Sequence, residues 1–165
     1  MASSRSRLPP ALAATVLALL GAPPAPALAG DVTVFVTLPS PAENWNRGYG
    51  AALGSTWFRV LTFEGEAARV PGETLDAGMT SFTASALLAP PIGGLIPYGG
   101  IGVGLFRQTL GTASDLGRLR ALVLGLKLRL QDLVVLKAEY RRLELSGDPL
   151  LAMDSRISFG AGIAF

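Results

Sequence analysis

The feature that most constrains this chain is an alternation of side-chain character with a period of two, which recurs from Val32 to Phe165. The closing segment shows it plainly. Ile157, Phe159, Ala161, Ile163 and Phe165 share one parity, and Arg156, Ser158, Gly160, Gly162 and Ala164 share the other. Successive side chains of an extended strand point to opposite faces, so this segment would present one apolar face and one small or polar face. Glycine points the same way, because the twenty glycines fall inside alternating segments as well as between them. Each would cost a helix interior about 1 kcal/mol relative to alanine.

Eight segments carry the pattern, separated by turn residues rich in Gly, Pro, Asp and Ser, and predict strands over 32–38, 48–54, 58–69, 78–89, 97–107, 118–130, 133–145 and 155–165. The connections at 54/58, 89/97 and 130/133 are mostly tight, whereas those at 38/48, 69/78, 107/118 and 145/155 run longer. Short turns on one side and longer loops on the other are the habit of outer-membrane barrels, whose termini lie on the short-turn, periplasmic side. The Pro90-Pro91-Ile92-Gly93-Gly94 stretch is the exception, being long for a periplasmic turn.

Alternation alone does not say which face is wet, and a soluble barrel or sandwich would show it too. Three features favour the inverted, membrane-embedded arrangement. Only 16% of residues are charged while half are apolar; the polar faces are made of glycine, serine and threonine that suit a narrow lumen; and the chain opens with an export signal. Arg5 and Arg7 precede an apolar stretch from Leu8 to Leu20 and a small-residue site at Ala27-Leu28-Ala29, the order of a secretory signal peptide. Pro23, Pro24 and Pro26 would break a helical continuation. Cleavage is expected after Ala29, which divides the chain into a signal over 1–29 and one outer-membrane domain over 30–165. Loss of Arg5 and Arg7 takes the net charge from +2 to zero, so no basic footprint for nucleic acid remains. With no cysteine, the exported domain must hold together without disulfides.

The segments Pro97 to Phe106, Leu136 to Arg141 and Arg156 to Phe165 resemble the small porin-like outer-membrane barrels of the OmpA/OmpX type, over essentially all of the chain after the signal. The resemblance implies an all-β, eight-stranded antiparallel up-and-down transmembrane barrel. It also implies that Phe159, Ile163 and Phe165 form a signal read by the outer-membrane assembly machinery, with the last residue facing lipid. That family holds adhesins, structural barrels and passive channels, so it fixes architecture better than activity.

If the apolar parity meets lipid, the other lines the bore. It contributes Glu64, Glu66, Lys127, Arg129, Lys137, Glu139, Arg141 and Arg156: five cations and three carboxylates. An unpaired charge in a narrow interior costs several kcal/mol, so these groups should pair. The remaining inward positions are small, notably Gly48, Gly50 and Gly54, Gly100, Gly102 and Gly104, and Gly160 and Gly162. Eight strands enclose a space that side chains fill, and long charged residues are expected to reach across toward this glycine wall. An excess of cations would favour anions if the bore conducts.

The outward parity also places Arg69, Arg107, Arg118 and Arg142 at the loop ends of their strands, with Arg59 alone near the other end. Long cations snorkel at any membrane edge; guanidinium groups also suit the phosphates of lipopolysaccharide. Trp57, Phe58 and Phe165 at the periplasmic end and Tyr140 toward the outer half make a partial aromatic girdle. Trp45, in the first long loop, could contact a ligand or close the barrel mouth, and the second is the expectation.

The absence of histidine and cysteine removes the usual general base, thiol nucleophile and zinc ligands. The G-x-G-x-x-G spacing begun at Gly100 fails at Leu105, so no nucleotide motif is present. The sequence therefore predicts a non-enzymatic protein without metal or cofactor, a monomer in the outer membrane. Its partners are outer-membrane lipid and lipopolysaccharide, and the assembly machinery during biogenesis. Its role is structural, with a narrow passive channel for small solutes or apolar molecules as the alternative.

Overall fold

The computed structural model describes residues 29–74, 76–131, 133–147 and 149–165. The expected signal lies outside them, except that Ala29 opens the first strand. Eight antiparallel strands, β1 (Ala29–Ser40), β2 (Gly48–Trp57), β3 (Leu61–Pro71), β4 (Ala77–Leu88), β5 (Leu95–Leu110), β6 (Ala113–Leu130), β7 (Val134–Ser146) and β8 (Ser155–Ala164), pair in chain order and close through β1–β8 into a barrel. No helix occurs among the described residues. The eight strands expected from the alternation, closed into the barrel that the resemblance implies, are the fold observed.

Closure follows from the pairing. A row of directly paired residues runs from Ser40 through Ser155, Arg142, Leu122, Ile101, Ala86, Phe63 and Ser55 to Gly30. One circuit thus returns to β1 ten residues away, at 30 instead of 40. Such a shear requires the strands to tilt by about 40° from the barrel axis, and an eight-stranded barrel of this kind has an interior that side chains fill.

Both described termini lie at one end, with the connections that follow β2, β4 and β6; the opposite, loop end carries those that follow β1, β3, β5 and β7. The loop of ten residues expected between 107 and 118 is instead a two-residue hairpin. β5 and β6 stay paired up to Leu110↔Ala113, and Gly111 takes the left-handed φ of 59° that the tight turn needs. The polar residues Gln108, Thr109, Ser114 and Asp115 read as loop in sequence because they lie past the apolar band, yet the ladder continues through them.

The faces divide as the inverted arrangement requires. Val32, Val34, Val36 and Leu38 of β1, Ile101, Val103 and Leu105 of β5, and Ile157, Phe159 and Ile163 of β8 are exposed on the outer wall. Thr33, Glu64, Glu66, Lys137, Arg141, Arg156 and Ser158 are buried inside. A water-soluble barrel would have these two sets exchanged.

Inward-facing aromatics account for several of the strand glycines. Phe35 lies directly across from Gly50 and Gly160, Tyr98 from Gly125, and Phe106 from Gly117. A Cβ on Gly125 would stand 2.3 Å from the Tyr98 ring, and one on Gly50 would stand 2.4 Å from that of Phe35. Gly50, Gly117 and Gly125 thus receive neighbouring rings, whereas a Cβ on Gly54 would stand 3.3 Å from the Asp31 carboxylate.

Candidate functional site

The lumen is built by strand parity. β3 sends in Glu64 and Glu66, β7 sends in Lys137, Glu139 and Arg141, β8 sends in Arg156, and β6 sends in Lys127. These groups form one connected network. Lys127 donates both to Asp31 (2.8 and 3.0 Å) and toward Glu64 at 3.5 Å. Glu64 accepts from Lys137 at 2.9 Å and from Arg141 at 2.8 Å. Lys137 reaches Glu139 at 3.0 Å, and Arg141 also engages Glu139 and, at 3.0 Å, Glu66. Arg156 closes the chain on Glu66. The Tyr98 hydroxyl donates to Glu139 at 2.8 Å, and Lys127 and Lys137 stand 5.5 and 5.8 Å from its ring centroid. All eight charged residues are buried, with Glu64 at 2% exposure and Arg141 at 0%.

The balance differs from the sequence reading. Four cations (Lys127, Lys137, Arg141, Arg156) meet four carboxylates (Asp31, Glu64, Glu66, Glu139), so the expected excess of positive charge is absent from the network. Arg129 stays out of it, half-buried toward the terminal end, with Nε lacking any partner among the described residues. Asp31 is the acid the sequence reading missed. It shares the parity of Thr33 and Phe35, a sufficient signal had the first strand been started one residue earlier. Tyr98 shares the inward parity of Gly100 and Gly102 in the same way. Neutrality matters physically, since a buried ion left uncompensated is destabilising by about 3–5 kcal/mol. Carboxylate oxygens of Glu64, Glu66 and Glu139 approach within 4.8 Å of one another, but each is engaged by lysine or arginine.

Toward the loop end the lumen turns apolar. Val70, Met79, Phe106 and Leu119 are buried together with Trp45 and Met153 from the first and last loops. Trp45 is 4% exposed and its Nε1 donates to the Ala152 carbonyl at 2.9 Å. Gln108, fully buried, holds Leu151 from both sides: its Nε2 donates to the Leu151 carbonyl at 2.8 Å, and its Oε1 accepts from the Leu151 N–H at 3.1 Å. The mouth is thereby closed by apolar packing and by loops tied to strands.

On the outer wall, Arg69, Arg107, Arg118 and Arg142 are all exposed, and Arg120, missed in sequence, joins them. They do not form a level ring. With eight strands and a ten-residue shear, Arg69, Arg120 and Arg142 come to nearly one height, and Arg107 and Arg118 stand roughly 5–7 Å nearer the loop end. Four of the five lie on β5, β6 and β7, where Arg120 pairs directly across from the outward Glu144. Arg120, Arg142 and Glu144 border a shallow wall groove of about 730 Å³ floored by Ile101, Val103 and Leu122. Trp57 and Phe63 meet edge-on near the terminal end, with ring centroids 6.5 Å apart, and Phe58 and Phe165 are exposed beside them.

No protein family and no curated protein matches the chain. Solved structures do. Neisserial surface protein A is similar over 83% of this chain and 94% of its own, at 17% identity and a TM-score of 0.56. Ail, the attachment invasion locus protein of Yersinia pestis, is similar over 85% of this chain and 100% of its own, at 16% identity and 0.55. The N-terminal β-barrel domain of Pseudomonas aeruginosa OprF is similar over 83% and 97%, at 15% identity and 0.54. Ail has also been solved, as an outer membrane protein, in a phospholipid bilayer nanodisc. At these identities the likeness is one of fold: the chain has the architecture of the small outer-membrane barrels.

Proposed function

We propose that this protein is an integral outer-membrane barrel with a structural role in the envelope, exported behind residues 1–29 and sealed along its axis. The observation that carries the reading is the lumen. Four acids and four bases neutralise one another inside it, and an apolar cap of Trp45, Met79, Phe106 and Met153 closes the loop end. An ion entering that bore would have to displace charge-assisted hydrogen bonds it cannot replace. The terminal end is periplasmic and the loop end faces outward. With no unpaired strand edge in the barrel, nothing in the sheet demands a second copy. No reaction is assigned, since the acids clustered among the described residues are held in ion pairs.

The outward arginines supply the partner. Arg69, Arg107, Arg118 and Arg142, with Arg120, stand where the apolar band of the wall ends, within reach of lipopolysaccharide phosphates, and guanidinium matches phosphate oxygens bidentately. Planar-bilayer recording on refolded protein tests the sealed lumen. A silent membrane supports it, whereas reproducible steps that vanish on blocking the bore would establish a channel instead. Replacement of Arg69, Arg107, Arg118 and Arg142 by glutamine tests the partner; lipopolysaccharide retained in unchanged amount through purification would remove that assignment.

A further inference from the structure

The network and the cap leave one part of the lumen unaccounted for, a vestibule of about 160 Å³ at the terminal end. Its wall is apolar, formed by Leu87, Ala89, Ile96 and Val135 beside the Tyr98 ring, and its polar floor is the Asp31–Lys127 pair, which is self-neutralising. Two further cations line it, Arg129 and Arg59. Neither takes part in the ion pairs found among the described residues, and the buried Nε of Arg129 has no hydrogen-bond partner there.

Two local features of the chain border this space. The Trp57–Val60 turn, closed by the Val60 N–H donating to the Trp57 carbonyl at 3.2 Å, holds both central residues left-handed, Phe58 at φ 52° and Arg59 at φ 66°. That conformation ordinarily goes to Asn and Gly and costs about 1 kcal/mol or more at each other residue. Here it sets Arg59 on the rim. The overlong 89–94 connection supplies Ala89 and Pro91 to the wall and is fastened by the Arg129 N–H donating to the Gly94 carbonyl at 2.8 Å. A tight turn at that position would leave the vestibule open on one side.

We propose that the vestibule binds a small organic carboxylate whose body is the size of a single aromatic ring, its head between Arg129 and Arg59 and its body against Leu87, Ile96 and Val135. The volume sets the size, since an apolar cavity of about 150 Å³ accommodates benzene. The sign of the head follows from two uncompensated guanidinium groups beside a floor that is already neutral. A ligand with a charged head alone would leave the apolar wall wet, and a neutral ring would leave the Arg129 Nε unpartnered.

Benzoate is the probe. Refolded protein in zwitterionic detergent is titrated with benzoate and followed by amide chemical shifts, a readout independent of conductance. The expected result is saturable shifts at Ala89, Ile96, Arg129 and Val135, with binding about tenfold weaker in Arg129→Gln and weakened in Arg59→Gln, and unchanged in Arg47→Gln, an exposed cation of the first loop at the opposite end of the barrel. Arg59, exposed on a turn, keeps the test usable if Arg129→Gln does not refold. Equal shifts from benzyl alcohol would mean partition of a ring, equal shifts from inorganic phosphate would mean an ion at a charged rim, and unaltered affinity in the Arg59 and Arg129 variants would mean another site. Each of these overturns the proposal.

Discussion

Glu64 holds the centre of the charge network, and its replacement by glutamine tests the account of the lumen most directly. The side chain keeps its size and loses only its charge. Glu64 is 2% exposed and its carboxylate faces Lys127 at 3.5 Å, Lys137 at 2.9 Å and Arg141 at 2.8 Å. In Glu64→Gln the four cations face three carboxylates, and one positive charge is left buried without compensation. Breaking a buried pair in this way costs about 3–5 kcal/mol. Each cation here keeps a second partner, Lys127 on Asp31, Lys137 on Glu139, and Arg141 on Glu139 and Glu66, so the lower figure, about 3 kcal/mol, is expected. Removing Lys137 as well restores a balance of three against three. The double variant Glu64→Gln/Lys137→Gln should therefore be more stable than the sum of its parts by about 2 kcal/mol, a coupling of the size found for residues sharing one network. Urea titration of protein folded into lipid vesicles, followed by tryptophan fluorescence, measures both quantities, with a slope of about 1–3 kcal/mol per molar urea converting midpoints to energies. A Glu64→Gln midpoint within about 0.5 kcal/mol of the parent, with no coupling to Lys137, would refute the reasoning. It would mean that water screens these charges, and a lumen wet enough to do so is wet enough to conduct.

Other expectations follow from the same geometry. Gly125→Ala should drive the Tyr98 ring off its seat and break its hydrogen bond to Glu139, costing about 2 kcal/mol by overpacking, read as a lower urea midpoint. Trp45→Ala should free the last loop from its tie at the Ala152 carbonyl. Limited proteolysis should then cut within 41–47 and 149–154 faster while the strands stay resistant. Val34→Arg puts a cation on a wall residue that is 64% exposed and lies midway along β1; if that wall meets acyl chains, folding into bilayers should weaken by about 2–4 kcal/mol. An unchanged stability in Val34→Arg would place the wall in water.

The fold was legible in the sequence because period-two alternation leaves a strand little freedom. A slip of one residue would turn Ile157, Phe159 and Ile163 into the lumen and Arg156 and Ser158 into lipid. Parity also sorted Glu64, Glu66, Lys137, Glu139, Arg141 and Arg156 onto the inner face before any contact was known. Strand ends were less legible. Beyond the apolar band of the wall the strands continue in polar residues, Gln108, Thr109, Ser114 and Asp115, which carry no apolar mark of the strands they belong to.

What the sequence determined by itself is thus the strand count and the parity of each strand, local consequences of one repeating pattern, while the inversion of the barrel followed from low charge content, small polar faces and the expected export signal. Tertiary structure alone decided which charges meet. Asp31 and Lys127 are joined across 96 residues of chain, Arg129 is left beside a small vestibule, and the arginines of the wall stand at two heights. The physical reason is the ten-residue shear, a property of the closed sheet. It sets the height at which each inward or outward residue stands, and no single strand contains that information.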